Sequence, residues 1–350
     1  MMRSLILFFA FILPGLAFAE EDYRARNEAI IEQYIVPGYQ QFAASVSTLR
    51  EPLEILCATL SADALADAQT TFSDVMTAWQ RVQHIRLGPV QLDDRLFRIS
   101  FWPDPRNFTG RQLASTLESA DPELLEEGVV GDRSVAIQGL MTLERLLFAD
   151  APAQNGGYPC EYAKAIAANL SQMATEIEQE WTQPGIWLDI IQAPGPDNEI
   201  YQSDKELTGE IFKALSTGFQ VLKDQKLVSV IGTEDQQPKP RRAEAWRSGN
   251  SLSNIRASLA ALDEMIQIGY GDILNASADD GAETMRQIIR DANLALDNIQ
   301  HPLPEASENE DDRKWLTFLV FQITAAQEVL AGEIVPALDL PLSFNALDGD

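Results

Sequence analysis

The sequence predicts an all-α protein built from two helical bundles. In two long segments, one starting at Phe72 and one ending at Phe148, apolar residues recur every three or four positions. This spacing is typical of a helix with one buried face. No segment shows a convincing strand pattern, and joints rich in Pro, Gly, Asp and Asn separate the helical stretches.

Eight helices are predicted, which is more than one four-helix bundle needs. Besides the segments 72–82 and 135–148, helices are expected over roughly 22–59, 161–181, 203–231, 243–272, 281–300 and 311–332. We expect an interruption of the first near Pro37 and Gly38. Ser203 followed by Glu206 is a capping-box pattern that opens the helix 203–231, and Gly232 ends it.

The size of the chain favours two domains, each resembling a four-helix bundle. We expect domains over residues 20–185 and 186–350, with the boundary in the loop-rich stretch 182–202. The two halves share short similarities, AWQR at 78–81 with AWRS at 245–248, and Glu144 with Glu328 near the ends of two helices. A duplicated bundle is one interpretation, and chance similarity between helices is the other.

Residues 1–19 have the pattern of a cleavable signal peptide. Arg3 precedes the apolar run 5–13, Pro14 and Gly15 end it, and A-F-A at 17–19 provides a cleavage site. The run is shorter than the ~20 residues of a spanning helix, which argues against the alternative of a membrane anchor. We therefore expect a protein of the periplasm or cell envelope with no transmembrane segment after cleavage.

The chain has only two cysteines, Cys57 and Cys160. In an exported protein, two cysteines far apart in sequence favour a disulfide over two buried thiols. We expect this bond to join the end of one helix to the start of another.

Composition excludes several classes of function. With 26 Lys and Arg against 53 Asp and Glu, the net charge is −27, which repels phosphate backbones and argues against nucleic-acid binding. His84 and His301 are the only histidines, too few for a three-histidine zinc site or a zinc finger. Motifs of hydrolases, such as His-Glu-x-x-His or Gly-x-Ser-x-Gly, are absent from the sequence.

Two basic islands interrupt this acidic sequence. The first, residues 81–111, holds six arginines against three aspartates, and the second, residues 239–256, holds five basic residues against Glu244. One interpretation is internal neutralisation by the abundant carboxylates. The other is that the islands meet between the domains and form a cationic pocket, since guanidinium groups bind carboxylate or phosphate in a bidentate manner.

Five segments together resemble the imelysin-like family, which includes imelysin, M75 peptidase-like proteins and iron-regulated envelope proteins. They are WQRVQHIRLGP at 79–89, RISFWPD at 98–104, QGLMTLERLLF at 138–148, AEAWRSG at 243–249 and FNALDGD at 344–350. The resemblance implies an exported, all-helical, two-domain protein with a functional site in the cleft between the domains. It also implies a link to iron acquisition or to metallopeptidase activity.

One residue departs from the family pattern Gly-x-His-x-x-Glu. Here the segment begins at Gly139 and ends at Glu144, with Met141 at the histidine position. A thioether is a poor ligand for zinc or ferric iron, so only Glu144 remains as a candidate metal ligand. The alternative is that Glu144 is a buried carboxylate paired with an arginine of the first island and that Met141 is a core side chain.

The histidines and the chain end carry weaker signals. His84 is either a ligand or proton donor of the cleft or a hydrogen-bonded structural residue, and His301 is expected in a surface loop. The oxygen groups of Asn345, Asp348 and Asp350 could bind a hard cation, although the spacing of a calcium loop is missing.

These observations define one candidate site and a ranked set of functions. We expect one interdomain cleft to be lined by His84, Arg86, Arg98, Trp102, Asp104, Glu144, Trp246, Arg247 and Ser248. The first hypothesis is a non-enzymatic protein for iron uptake that binds a metal or a metal–anion complex in this cleft, with a small anion or a metal chelate as the ligand and iron as the candidate metal. The alternatives are an imelysin-type metallopeptidase and an envelope scaffold that binds a partner protein.

Overall fold

The computed structural model describes residues 20–148, 150–233 and 235–341, and all regular elements in these ranges are helical. The all-α prediction is confirmed. The predicted signal peptide 1–19 and the motif at 344–350, with Asn345, Asp348 and Asp350, lie outside the described residues.

The described chain contains α-helices, π-helical segments and short 3₁₀ segments. In chain order, the α-helices are α1 Glu20–Ile30, α2 Val36–Ser47, α3 Arg50–Thr59, α4 Ala62–Val82, α5 Arg95–Ile99, α6 Phe108–Ser119, α7 Leu140–Leu147, α8 Gly157–Thr182, α9 Ile186–Gln192, α10 Asp204–Gln220, α11 Ser229–Ile231, α12 Ser251–Ala276, α13 Gly281–Asn298, α14 Leu303–Ala306, α15 Glu310–Val329 and α16 Val335–Ala337. The π-helical segments are Ile31–Ile35, Val221–Val228 and Leu330–Ile334, and the 3₁₀ segments lie at Gly88–Asp94, Pro122–Leu125, Val129–Asp132, Val135–Ile137, Pro152–Asn155 and Pro240–Arg242.

A continuous helical path opens the described chain. The helix α1, the π-helical segment Ile31–Ile35 and α2 follow without a break, so the predicted interruption near Pro37 and Gly38 is wrong. Proline lacks an N–H and its ring crowds the carbonyl one turn earlier. Here Pro37 falls in the first turn of α2, directly after the wider π turn, where the hydrogen-bond register changes. Pro336 follows the π-helical segment Leu330–Ile334 in the same way.

The helices pack as two groups joined through α1, α4 and α12. In the first half, α2 packs against α4 and α8, and α3 packs against the same two helices. In the second half, α13 packs against α12 and α15, while α10 contacts α12 and α15. The opening helix α1 packs against α10 and α12, so the path α1–α2 crosses from the second group to the first. The division into domains 20–185 and 186–350 stays a prediction.

The predicted helix 243–272 is wrong at its start. Residues 243–250 form turns, and α12 begins only at Ser251. Ala245 and Gly249 both have left-handed backbone conformations, with φ of 51° and 75°, which no α-helix accommodates. The segment 135–148 is also divided, because Gly139 separates the 3₁₀ turn Val135–Ile137 from α7.

The helix 203–231 agrees with its prediction. The side chain of Ser203 accepts a hydrogen bond from the backbone N–H of Glu206 at 3.2 Å, as a capping residue does. Helix α10, the π-helical segment Val221–Val228 and α11 then continue to Ile231, and Gly232 follows with a φ of 74°.

One helical stretch has the length and apolar composition of a membrane span, although the sequence analysis expected no transmembrane segment after the signal peptide. It covers 310–337, and 39% of its most apolar window is buried within the protein. Its first part, α15, packs against α13 and α10. Length and composition alone do not separate a spanning helix from the core helix of a bundle.

The predicted disulfide is confirmed in the structure. Cys57 near the end of α3 is bonded to Cys160 near the start of α8, with 5.6 Å between the Cα atoms. The bond closes a loop of 103 residues between two neighbouring helices of the first half.

Reducing this bond should lower the free energy of unfolding by up to about 4 kcal/mol, because an unfolded chain with an open loop of this length gains conformational entropy. Urea unfolding of the Cys57→Ala/Cys160→Ala variant beside the oxidised protein measures the effect. Intact mass after alkylation, with and without reduction, checks the bond itself. Two alkylated thiols in the native, unreduced protein would contradict the assignment.

Candidate functional site

The glycine that opens the family-like motif positions α7. Gly139 has a φ of 79°, and a Cβ atom at this position would collide with the backbone carbonyl oxygens of Arg98 and Ile99. Only glycine allows this conformation and this close approach together. The start of α7 is therefore fixed against the end of α5, and Met141 and Glu144 both point into buried surroundings.

Glu144 holds the turn 245–250 in place. Its side-chain Oε1 accepts three hydrogen bonds, from the backbone N–H of Arg247 at 3.0 Å, the backbone N–H of Ser248 at 2.9 Å and the Ser248 hydroxyl at 3.0 Å. Burial raises the pKa of Glu144, and the hydrogen bonds from Ser248 and Arg247 act in the opposite direction. The prediction that Glu144 pairs with an arginine of the first island is wrong, because backbone and hydroxyl groups of the second island bind this carboxylate.

The structure gives Met141 the role of a core side chain. Its exposed fraction is 7%, and it belongs to the main hydrophobic cluster. Within the described ranges, no group of three or more His, Cys, Asp or Glu side chains could hold a metal ion.

Two adjoining cavities lie between the halves and share Arg86. Both are also lined by Gln83 and Val221. The first is completed by Gln80, His84, Gly218, Leu222, Lys226, Ser258 and Leu262, and the second by Trp79, Leu96, Phe97, Ser100, Trp102, Gln225 and Glu244. We call these two spaces the Arg86 cavity. Its walls come from α4 and α5 of the first half and from the segment Val221–Val228, α12 and the turn 243–250 of the second.

Arg86 is a desolvated cation without a counter-charge in the described part of the chain. No described carboxylate lies within 4 Å of its guanidinium, and its Nε is buried without a hydrogen-bond partner. Burial lowers the pKa of Arg86, and no neighbouring anion acts against this effect. Such a group favours the binding of an anion, because the charge–charge attraction would compensate for the lost hydration.

A buried ion pair lies next to Arg86. Lys226 Nζ is 2.8 Å from Glu244 Oε2, and each side chain is only 2% exposed. Lys226 also donates to Gln80 Oε1 and, at 3.2 Å, to Ser258 Oγ. Glu244 accepts a further bond from Asn254 Nδ2 at 3.2 Å.

This network leaves several buried polar atoms unsatisfied among the described residues. Gln80 Nε2, Glu244 Oε1 and Asn254 Oδ1 have no hydrogen-bond partner. Buried polar atoms normally find one, so these atoms indicate bound water or a ligand. Reasoning from the sequence missed Gln80, Lys226, Asn254 and Ser258 as site residues. Gln80 lies inside a quoted motif, whereas nothing local marks Lys226.

His84 is a neutral, hydrogen-bonded side chain. It is 4% exposed, and its Nε2 lies 3.3 Å from the Tyr34 hydroxyl. Burial, together with the positive charges of Arg86, Lys226 and Arg81, lowers the pKa of His84 to about 3. His301 is exposed, as expected, and its Nδ1 lies 2.7 Å from Asp312 Oδ2.

Arg98, Trp102 and Asp104 have separate surroundings. Arg98 donates from Nε to Gln138 Oε1 at 3.2 Å. Asp104 binds the start of α6, with Oδ1 and Oδ2 accepting from the backbone N–H groups of Phe108 at 2.8 Å and Thr109 at 2.9 Å. Trp102 lines the Arg86 cavity and donates its indole N–H to the carbonyl oxygen of Arg242 at 3.3 Å.

The expected cleft residues thus fall into groups. His84, Arg86 and Trp102 line the Arg86 cavity, and Glu144 meets Arg247 and Ser248 at the turn next to Trp246. The side chain of Arg98 contacts Gln138, and Asp104 caps α6. That these nine residues act together on one ligand stays a prediction.

Internal neutralisation accounts for only part of the basic islands. Arg81 pairs with Glu264, Arg95 with Glu176 and Glu180, and Arg256 with Asp297. In the described ranges, no carboxylate lies within 4 Å of the remaining island cations, which are Arg86, Arg98, Arg106, Arg111, Lys239, Arg241, Arg242 and Arg247.

Fold and site together define an all-helical protein whose two halves enclose a polar cavity at their contact. A family model described as Peptidase_M75: Imelysin matches residues 35–330. The chain belongs to the imelysin family, and the resemblance found in the sequence is confirmed.

Two solved structures share the fold. An imelysin-like protein from Psychrobacter arcticum 273-4 superposes with a TM-score of 0.79 at 18% identity, covering 95% of this chain and 100% of that one. A protein described as an iron-regulated protein A precursor, from Parabacteroides distasonis ATCC 8503, gives a TM-score of 0.73 at 13% identity, with 90% and 97% coverage.

A curated relative is iron-regulated protein A of Synechococcus elongatus (strain ATCC 33912 / PCC 7942 / FACHB-805). It is 20% identical over 232 residues, which are 65% of this chain and 60% of that relative. The chain therefore spans less than two thirds of that relative's length.

Replacing Glu144 by Ala should lower the free energy of unfolding by about 3 kcal/mol, because the backbone N–H groups of Arg247 and Ser248 lose their acceptor. Glu144→Gln keeps an acceptor oxygen and should cost clearly less. Urea unfolding at neutral pH measures both. Glu328→Ala, at an exposed position of α15, is the control and should change stability by less than about 0.5 kcal/mol. Equal effects of Glu144→Ala and Glu328→Ala would contradict the anchoring role.

His84 should make the protein sensitive to mild acid. Its pKa is about 3 in the folded protein and about 6.5 in an unfolded chain, so the unfolded state takes up the proton first as pH falls. Stability is then lost from about pH 6.5 downward, by about 1.4 kcal/mol per pH unit. Between pH 7 and pH 5 the wild type should lose about 2 kcal/mol more than His84→Gln or His84→Asn. Parallel stability profiles of wild type and variants would show that His84 does not titrate in this way.

Proposed function

We propose that this protein is an exported, non-enzymatic component of the cell envelope that binds iron as a complex with an anionic ligand. The observation that carries the proposal is the desolvated Arg86 guanidinium, which has no described counter-charge and faces a cavity between the halves. The link to iron is supported by family membership and by relatives named iron-regulated protein A.

An anionic group suits the Arg86 cavity chemically. A guanidinium provides a planar set of donors that matches a carboxylate, and burial strengthens the attraction because water competes less. Trp102 and Phe97 supply apolar walls beside it. The enclosed space is small, so we propose that one carboxylate of the ligand enters and the metal stays at the mouth.

Binding of iron as a complex agrees better with these residues than binding of a bare ion. The Glu144 Oε1 atom is engaged by three donors, and Met141 offers a thioether, which is a poor ligand for ferric iron. Glu244 Oε2 is engaged by Lys226 and Asn254. A metal that brings its own carboxylate ligands would need only the positive charge that Arg86 supplies.

Export is supported by three observations. Residues 1–19 have the pattern of a signal peptide, the disulfide suits an oxidising compartment, and the relative from Parabacteroides distasonis is described as a precursor. Hand-over of the ligand would need an envelope protein partner.

Arg86→Gln should weaken binding of ferric citrate and of citrate alone about 10- to 100-fold, since a charge-assisted hydrogen bond contributes about 1.5–3 kcal/mol. Calorimetric titration of the mature protein measures both affinities. Arg290→Gln removes the same charge from an exposed position of α13 and should leave both unchanged.

Two outcomes would overturn the proposal. If wild type and Arg86→Gln bind with equal affinity, Arg86 is not part of the binding site. If iron binds equally tightly without any anion, the protein does not require iron as a complex. A peptide cleavage assay on the same preparation tests the enzymatic alternative. Turnover that a chelator abolishes would favour a metallopeptidase.

A further inference from the structure

Three arginines outside the Arg86 cavity lie in one neighbourhood, and none of them forms a direct ion pair with a described carboxylate. The Arg247 guanidinium carbon lies 4.2 Å from the centroid of the Trp246 ring, and that of Arg241 lies 6.0 Å from the same centroid. Arg145 follows Glu144 on α7, directly beside the turn that Glu144 holds. Partial burial, with the positive charges of Arg145 and Arg241, lowers the pKa of Arg247 to about 10, while the negative charges of Glu144 and Asp104 act in the opposite direction.

The neighbouring carboxylates hold backbone groups instead of these arginines. Glu144 Oε1 accepts from the backbone of Arg247 and Ser248, and both oxygens of Asp104 accept from the backbone at the start of α6. Within the described residues, no carboxylate lies within 4 Å of any of the three guanidinium groups. Among the groups that the structure describes, Arg145 donates only to the neutral Asn107 side chain, at 2.7 Å.

We propose that Arg145, Arg241 and Arg247 form a second binding site, for a small oxyanion that carries at least two negative charges. The positive charges of Arg145 and Arg241 act against that of Arg247, Glu144 and Asp104 offset this only in part, and a bound anion would reduce the remaining repulsion. Their planar donor groups match the oxygens of a phosphate or of a di- or tricarboxylate. Stacking on Trp246 already orients Arg247, so its side chain loses less conformational entropy when the anion binds.

This site is independent of the proposed iron function. The charged groups that act on Arg247 are Arg145, Glu144, Arg241 and Asp104, whereas Arg86 lines the cavity beside Lys226 and Glu244. The two sites can therefore be removed separately by substitution. Arg247→Gln keeps the backbone N–H that binds Glu144, so the fold should be retained.

Calorimetric titration with inorganic pyrophosphate and with succinate tests the proposal and separates the two ligand chemistries. We expect saturable binding of at least one of them, weakened 10-fold or more in Arg247→Gln and in the double variant Arg145→Gln/Arg241→Gln. Arg247→Lys, which keeps the charge but loses the planar fork, should fall between. The exposed variant Arg290→Gln should bind as the wild type does. Raising the salt concentration should weaken binding in the wild type.

Several results would overturn this site. One is the absence of saturable binding of either anion, and another is equal binding by wild type and Arg247→Gln. Loss of pyrophosphate binding in Arg86→Gln with retention in Arg247→Gln would move the anion to the Arg86 cavity. Because citrate is itself a tricarboxylate, the effect of Arg86→Gln on ferric citrate binding is measured in the Arg247→Gln background as well, so that failure of this proposal leaves the iron proposal unaffected.

Discussion

The buried ion pair of Lys226 and Glu244 is the constraint on which the contact between the halves depends. An ammonium and a carboxylate that are each 2% exposed cannot remain without partners, because the cost of removing charges from water is several kcal/mol. The side chains that bind this pair, Gln80, Ser258 and Asn254, are therefore needed in these positions. Gln80 brings α4 of the first half to this network, and Ser258 brings α12 of the second.

The partners that carboxylates bind also determine where positive charge is left without a direct ion pair. Glu244 neutralises Lys226, and Glu144 and Asp104 accept hydrogen bonds from backbone N–H groups. In a protein with a net charge of −27, these three acids next to the basic islands are thus engaged by other groups, whereas Arg81, Arg95 and Arg256 do find carboxylates. The uncompensated arginines result from the assignment of these carboxylates to particular donors and not from a shortage of acids.

The sequence was sufficient for features that depend on local pattern or on composition. Helical spacing predicted the fold class, Ser203 predicted a cap, and the presence of two cysteines predicted the disulfide. It was misleading at 243–250, where a run that looks helical contains Ala245 in a left-handed conformation. That conformation is favoured by the hydrogen bonds of Glu144, which lies about a hundred residues away.

The candidate site was only partly predictable for the same reason. Arg86 stood out because its charge opposes that of the rest of the chain, and motif similarity drew attention to Glu144 and Arg247. Whether an arginine meets a carboxylate depends on the tertiary fold, as the contrast between Arg81, paired with Glu264, and Arg86 demonstrates. The role of Lys226 depends wholly on burial, which its sequence neighbours do not indicate.

The placement of α1 has a consequence for how the chain reaches its native state. Arg24 of α1 pairs with Asp204, 180 positions later, and the Tyr23 hydroxyl donates to the carbonyl of Leu338, 315 positions later. In chain order α1 precedes the rest of the first half, whereas its neighbours α10 and α12 follow only after that half. Contacts of such long range slow folding and leave apolar surface uncovered in the meantime. Until these later helices are in place, Tyr23 and Ile30 of α1 lack the neighbours that bury them in the native protein.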